Sequence, residues 1–268
     1  MITKRFLPIV ILGMLLISCN NEPQNPAEQK TPLPDSVMVY NIAADKTETL
    51  SKIVYYTYDE VGNTIFEITY SLSKEYGKQP SSKREMKYDA NGNLLERREA
   101  AYFLQTESWF YNVCLRWTYD TDSRISIIAV YNDYGEMIEE HPLQKAEYSW
   151  SDDTHAEYLT YTALGIDTWD LLFKTEVTYN THSDIEKETC YFHQNNDSWS
   201  LMMTNEYNYD QYNNLLLHKI LDDKSAVTLQ EQYRYDYDET GKKLVMWYST
   251  SYTDAAPGEP IQKYVYCY

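Results

Sequence analysis

The sequence predicts an all-β fold, an antiparallel meander of about 15 strands built from repeated hairpins and rolled into a strongly curled sheet or flattened barrel. Three observations carry that prediction. An aromatic residue recurs at Tyr58, Tyr88, Tyr119, Trp150, Tyr179, Tyr209, Tyr237 and Tyr266, at intervals of 30, 31, 31, 29, 30, 28 and 29 residues. The residues before it alternate in character: two positions earlier all eight are apolar or aromatic, and three positions earlier seven of eight are charged. Directly after it stands Asp, Asn or Ser at Asp59, Asp89, Asp120, Ser151, Asn180, Asp210 and Asp238, followed three residues later by Gly62, Gly92, Ser123, Thr154, Ser183, Asn213 and Gly241.

The chain opens with Lys4 and Arg5 before an apolar run from Phe6 to Ile17, too short for a stop-transfer helix. Residues 1–18 therefore read as a signal peptide. Its end, Leu16-Ile17-Ser18-Cys19, resembles the bacterial lipobox, which implies lipid attachment at Cys19 and a membrane partner reached through that anchor. Asn20, where an aspartate would signal inner-membrane retention, favours an outer membrane lipoprotein; the periplasmic and surface-exposed faces both remain open. Residues 19–37 hold four prolines and no periodic apolar pattern, as expected of an extended tether.

Residues 38–268 form the repeat domain. Removing the leader discards Lys4 and Arg5 and no acid, so the formal charge moves from −18 to −20. A surface of that sign repels phosphate backbones, and nucleic acid is rejected as a partner. With Cys19 lipidated, Cys114, Cys190 and Cys267 remain, enough for one disulfide within the chain or for three thiols.

Within each repeat, period-two alternation marks a strand ending at the aromatic anchor. The Asp or Asn after it can accept hydrogen bonds from the amides of its own turn, and Gly or Asn tolerates the left-handed backbone a short hairpin needs. Thr154 fits that position poorly, so the fourth hairpin should turn differently. Apolar character then returns, as in Thr64 to Leu72 and Lys243 to Tyr252, giving a second strand. A further short turn at Tyr131 to Met137 interrupts the third unit.

Stacked as coils of a parallel solenoid, equivalent residues would lie about 4.8 Å apart, and Glu147, Glu176 and Glu206 would form an unneutralised ladder. An antiparallel meander roughly doubles that distance and lets water screen the charges. Open edges on so long a sheet invite pairing with other chains, so it must curl or close. Charged strands such as Ser81 to Tyr88 and Asn93 to Tyr102 argue against a lipid-facing wall.

The segments "YTYDEVGN", "MKYDANGN" and "YDYDETGK" resemble the Tyr-Asp (YD) repeats of RHS and wall-associated proteins. More closely, the chain resembles a family of Bacteroidetes-type lipoproteins with a lipobox and such repeats, over residues 52–268. That resemblance implies a curled, porin-like β-meander and carries no established activity; "SWSDDTH" and "TYNTHSD" depart from the pattern.

No catalytic signature emerges. Asp89, Asn91 and Asn93 could present oxygens to calcium, yet they lack a bidentate acid, and hairpin geometry accounts for the same residues. Cys190 and His193 have a metal-like spacing without further ligands. With 41 acids in 268 residues, carboxylate pairs of the glycosidase kind arise by chance. Trp109, Trp169 and Trp199 share one register ten residues before the anchor, and the even offset places them on the aromatic face at the rim opposite the tight turns. There they could stack on sugar rings or close the core. The expectation is a non-enzymatic, cofactor-free envelope or cell-surface protein that binds glycan or protein ligands. The alternatives are a structural component of an envelope complex and, last, a glycan-active hydrolase.

Overall fold

The structure, a computed structural model, describes residues 33–194, 197–255 and 257–268. The expected signal peptide, Cys19 and the tether as far as residue 32 lie outside the described residues. The strands are β1 (Ser36–Ile42), β2 (Glu48–Tyr58), β3 (Thr64–Ser73), β4 (Gly77–Tyr88), β5 (Leu94–Phe103), β6 (Ser108–Tyr119), β7 (Ile125–Asn132) and β8 (Gln144–Trp150). They continue as β9 (His155–Gly165), β10 (Thr168–Tyr179), β11 (Ile185–His193), β12 (Trp199–Tyr209), β13 (Leu215–Asp222), β14 (Val227–Tyr237), β15 (Lys243–Ser251) and β16 (Gln262–Cys267). Among the described residues there is no helix.

Each strand pairs antiparallel with its neighbours in sequence, and β16 returns to β1, closing a 16-stranded barrel. The closing ladder sets Val37 against Tyr266 and Val39 against Tyr264. Strand β1 supplies the partner needed for closure, and it starts at Ser36, two residues inside the expected tether.

The hinges are built as their residue types require. Gly62, Gly92, Ser123, Ser183, Asn213 and Gly241 all have positive φ, between 61° and 99°. Asp89 Oδ1 accepts the amides of Asn91 at 2.8 Å and Asn93 at 2.9 Å, and Oδ2 accepts the Asn93 side-chain amide at 2.9 Å. Desolvation raises the affinity of this carboxyl for a proton, but the Asn93 and Asn91 hydrogen bonds outweigh it and hold its pKa below the ordinary value. Its oxygens are thus engaged by the bend itself. Thr154 has no left-handed backbone, and its turn is tied instead by Asp152 Oδ1 accepting the Thr154 amide at 2.7 Å.

The anchor-side residues face inward. Leu94, Leu115, Trp117, Ile128, Ala146, Tyr158 and Val177 form a buried cluster along the wall from β5 to β10. The interior also holds charge, contrary to a purely aromatic lining. Register places Glu67 and Arg84 opposite one another on the inner face, and the chain of ion pairs runs from Glu67 to Arg84 at 3.4 Å, Arg84 to Glu99 at 3.5 Å and Glu99 to Arg97 at 3.1 Å. On the β11–β15 wall, Tyr207 donates to Glu188 at 2.7 Å, His218 lies 2.8 Å from Glu231 and Tyr248 donates to Glu231 at 2.7 Å. Buried charges persist only with such partners.

Outside, Glu96 lies 2.7 Å from Lys87 and 3.1 Å from Arg116, so the return strand brings the acid that neutralises two bases across three strands. Such ladders interrupt the apolar band that a lipid-facing barrel needs. Cys114, Cys190 and Cys267 are free thiols.

Burial of Glu188 raises its pKa above the ordinary carboxylate value despite the hydrogen bonds from Tyr207 and Asn205. Its contribution to stability is therefore complete below the unfolded pKa of about 4.3 and is lost as pH rises through the folded pKa. Replacing Glu188 by Gln should raise the Tm at pH 7, with the gain vanishing near pH 4. Thermal melts of both proteins at the two pH values check this, and a lower Tm for the variant at neutral pH would refute it.

Candidate functional site

Most seams between repeats follow one construction; at β9–β10 the ladder instead runs to His155 and Thr178, and the Tyr179 amide itself donates to the Thr154 carbonyl at 2.8 Å. The β3–β4 ladder ends at the pair Phe66 and Glu85, so Met86, Lys87 and Tyr88 run past it, and Tyr88 donates its hydroxyl to the Thr64 carbonyl at 3.1 Å to close the wedge. Tyr58 does the same to Pro34 at 2.8 Å, Tyr119 to Leu94 at 2.9 Å, and Tyr209 to Ile185 at 2.8 Å. Trp150 uses its indole N–H on Ile125 at 2.8 Å. In the last repeat this place belongs to Tyr268, which donates to Lys243 at 2.6 Å, and not to Tyr266 as the 29-residue interval suggests.

The β13–β14 seam departs from the rule. Its ladder stops at Leu217 and Gln232, leaving five residues of β14, Tyr233 to Tyr237, beyond it. This is a slip of two residues. Tyr235 takes the closing position and donates to the Leu215 carbonyl at 2.8 Å. Tyr237 is carried further and donates to Asp210 Oδ2, while Asn214 Nδ2 donates to the Tyr237 hydroxyl at 2.7 Å.

The slip opens a cavity of about 620 Å³ in the barrel wall. Tyr233, Tyr235 and Tyr237 line its inner part, and Arg234, Trp247 and Pro260 its outer part. Side chains from both faces of β14 border one space because no neighbouring strand separates them there.

The groups in this cavity are unequally engaged. Desolvation raises the Asp210 pKa, but hydrogen bonds from Tyr237 and the amides of Asn214 and Tyr212 outweigh it and leave the carboxyl below its ordinary value. Burial, followed by the Asp210 hydrogen bond, pushes the Tyr237 hydroxyl well above its own. The Tyr212 ring packs 4.7 Å from that of Tyr237, over Gly241, where an added Cβ would stand 3.2 Å from Tyr212 Cε1. The Arg234 guanidinium lies 5.1 Å from the Trp247 ring centroid, which Lys263 also approaches at 5.0 Å. Trp247 donates its indole N–H to Asp236 at 3.3 Å. Nearby, Lys243 is held over the rings of Tyr235 at 4.8 Å and Tyr266 at 5.3 Å, and burial lowers its pKa.

The three register-matched tryptophans lie elsewhere. Bulges fall between them and the anchor, where β6, β10 and β12 each carry one extra residue opposite their partners. One inserted residue moves everything beyond it to the opposite face, so Trp109, Trp169 and Trp199 sit on the outer wall and not on the aromatic inner face. Each covers a lysine: Lys83 at 5.3 Å from the Trp109 centroid, Lys145 at 4.6 Å from Trp169 and Lys174 at 5.9 Å from Trp199. Those lysines also bond Glu85 at 2.8 Å, Glu147 at 2.6 Å and Glu176 at 2.8 Å. A face that would stack on a sugar is therefore already engaged by a cation in each case.

Cys190 and His193 point to opposite faces: Cys190 meets Thr175 Oγ1 at 3.0 Å inside, and His193 packs on Trp199 at 4.9 Å outside. The structure does not bring them together. Reading from sequence missed Arg234, Tyr235, Trp247 and Asp210 as a group, although the 28-residue interval from Tyr209 to Tyr237, the shortest of all, falls on this seam.

The closing role of Tyr235 can be measured. Tyr235→Phe leaves the Leu215 carbonyl without its donor and should cost about 1 kcal/mol, a drop of roughly 2–4 °C in Tm. An unchanged melt would show that the wedge is closed by other contacts.

No protein-family model matches the chain, and no curated protein is similar to it. Solved structures similar to it include a porin-like protein from Bacteroides vulgatus ATCC 8482, 11% identical, covering 86% of this chain and 97% of that one with a TM-score of 0.42. A porin-like protein from Bacteroides uniformis ATCC 8492 is 9% identical, covering 89% and 97% with a TM-score of 0.39. A protein of unknown function from Bacteroides fragilis NCTC 9343 is 15% identical, covering 49% and 94% with a TM-score of 0.38.

Proposed function

We propose that this protein is a non-enzymatic, lipid-anchored binding module of the bacterial envelope, held at the outer membrane through Cys19, whose ligand occupies the cavity at the β13–β14 seam. The observation that carries this reading is the two-residue slip, which opens a cavity of about 620 Å³ at one seam of a repeated design. That volume lies within the range of roughly 300–1,000 Å³ typical of ligand sites. The cavity offers tyrosine rings and an arginine, and its one lining carboxylate is engaged by Tyr237 and Asn214. A guanidinium and stable aromatic rings suit recognition more than bond breaking, which supports the non-enzymatic reading.

The position of the chain start fits a tether. Ser36 pairs with Tyr55 near the tight-turn end, and Tyr58 bonds the Pro34 carbonyl there. The cavity begins at that end beside Asp210 and Tyr237 and runs along β14 toward Ser249, Gly258 and Pro260. Residues 19–32, fully extended, would span at most about 50 Å between anchor and barrel.

Two experiments test the reading. Cys19→Ala should abolish palmitate labelling in cells, and continued labelling would refute the anchor. Glycan and short-peptide panels, followed by thermal shift and by the fluorescence lost on Trp247→Phe, should yield a ligand for the native protein. Leu216→Trp, which fills the cavity, should abolish that binding; a ligand bound equally well by the filled variant would place the site elsewhere.

A further inference from the structure

We infer that the ligand of the slipped seam is an extended peptide, which adds as a strand to the free edge of β14 and sets a carboxylate against Arg234; this rests on the seam cavity being the ligand site. The backbone directions follow from the two flanking hairpins. The Asp238 amide donates to the Lys242 carbonyl at 2.9 Å, so Asp238 and, by alternation, Asp236 and Arg234 turn their backbone groups to β15. The Asp222 amide donates to the Ala226 carbonyl at 2.9 Å, so Asp222, Ile220 and His218 turn theirs to β14. His218 pairs with Glu231, which places Glu231, Tyr233, Tyr235 and Tyr237 in phase toward β13.

The ladder has ended by then. Tyr233 to Tyr237 have no register partner on β13, and the backbone groups of Tyr235 and Tyr237 face that unladdered side. A stretch of strand beyond its ladder is a template for an added strand, in which main-chain hydrogen bonds supply affinity and alternate side chains supply specificity. A five-residue run of edge is long enough to seat a short strand.

Side-chain engagement argues for peptide over sugar. Trp247 is approached by Arg234 and Lys263, and Tyr212 packs on Tyr237, so these flat aromatic faces already have protein partners. The β14 backbone from Tyr233 to Tyr237 has no register partner on β13. Charge then selects among peptides. Asp210 is engaged by Tyr237 and Asn214, and Asp236 by the Trp247 indole, while Arg234 makes no ion pair among the described residues. In a chain of net charge −18, an arginine lining a cavity without a carboxylate partner is complementary to an acidic residue of the incoming strand.

The test uses the mature chain and two pooled libraries of short acetylated peptides, with Glu or with Lys at the central position. The Glu library should bind about tenfold more tightly, and Arg234→Gln should erase that preference while leaving the melting curve unchanged. Bound Glu peptides should slow hydrogen exchange at the amides of Tyr235 and Tyr237, and N-methylation of alternate peptide amides should weaken binding by at least about tenfold. Equal binding of N-methylated peptides, or exchange at Tyr235 and Tyr237 unchanged at saturation, would overturn strand addition. Equal binding of the Lys library would overturn the role of Arg234. A glycan that binds and is blocked by Leu216→Trp, with no peptide binding, would overturn this inference while leaving the seam as the ligand site. Binding of either kind that survives Leu216→Trp would remove the seam reading itself.

Discussion

One backbone carbonyl at most of the seams governs this barrel. Where a return strand leaves the tight turn, its first residue pairs with the preceding strand but lies outside the ladder with the following one, and its carbonyl on that side needs a donor. The donor comes from a long aromatic side chain on the next strand: Tyr58, Tyr88, Tyr119, Tyr209 and Tyr268 use a hydroxyl, and Trp150 uses its indole N–H. This accounts for Tyr or Trp rather than Phe at Tyr58, Tyr88, Tyr119, Trp150 and Tyr209 of the anchor row. A phenyl ring would fill the same space and leave the carbonyl unpaired. Tyrosine abundance in this chain is thus partly a hydrogen-bonding requirement repeated around a circle.

Much of the architecture was legible because it is local. The Asp-capped bend with a left-handed residue three positions on is written in each repeat, and the substitution of Thr154 marks the one bend built differently. Alternation located the anchor strands, and the meander followed from the ladder of like charges that stacking would create. What escaped was set by register. The three bulges that turn Trp109, Trp169 and Trp199 outward leave no composition signal, since each adds one residue within an otherwise regular strand. The final anchor was misplaced for a related reason: Tyr266 and Tyr268 both suit the pattern, and only the pairing of β15 with β16 distinguishes them.

The interior departs from the simple picture of an aromatic lining in a way that strand chemistry can explain. A wide barrel has more inner positions than a dry core can fill with apolar groups. Here some are taken by matched charges, Glu67, Arg84, Glu99 and Arg97 on one wall and Glu188, His218 and Glu231 with their tyrosines on the other. Period-two reading assigns one face to charge and misses such strands, because Glu96 and Arg97, or Arg98 and Glu99, carry charge on both faces at once. The candidate site was hidden for the same reason as the bulges: its residues are ordinary for the repeat, and their significance comes from a two-residue displacement visible only as a short interval.

Closure through β1 and β16 carries a kinetic consequence. Ser36 pairs with Cys267, so the contact that completes the barrel joins the two ends of the domain and cannot form until the whole chain is available. Contacts of such sequence separation are slow to establish, since loop-closure entropy opposes them before they contribute stability. Until then β1 and the growing last strand both present unpaired edges. Ordering of the hairpins can proceed one repeat at a time, but protection from misassociation arrives only with the last strand. A chain of this design stays open to pairing with its own copies until that last strand is in place.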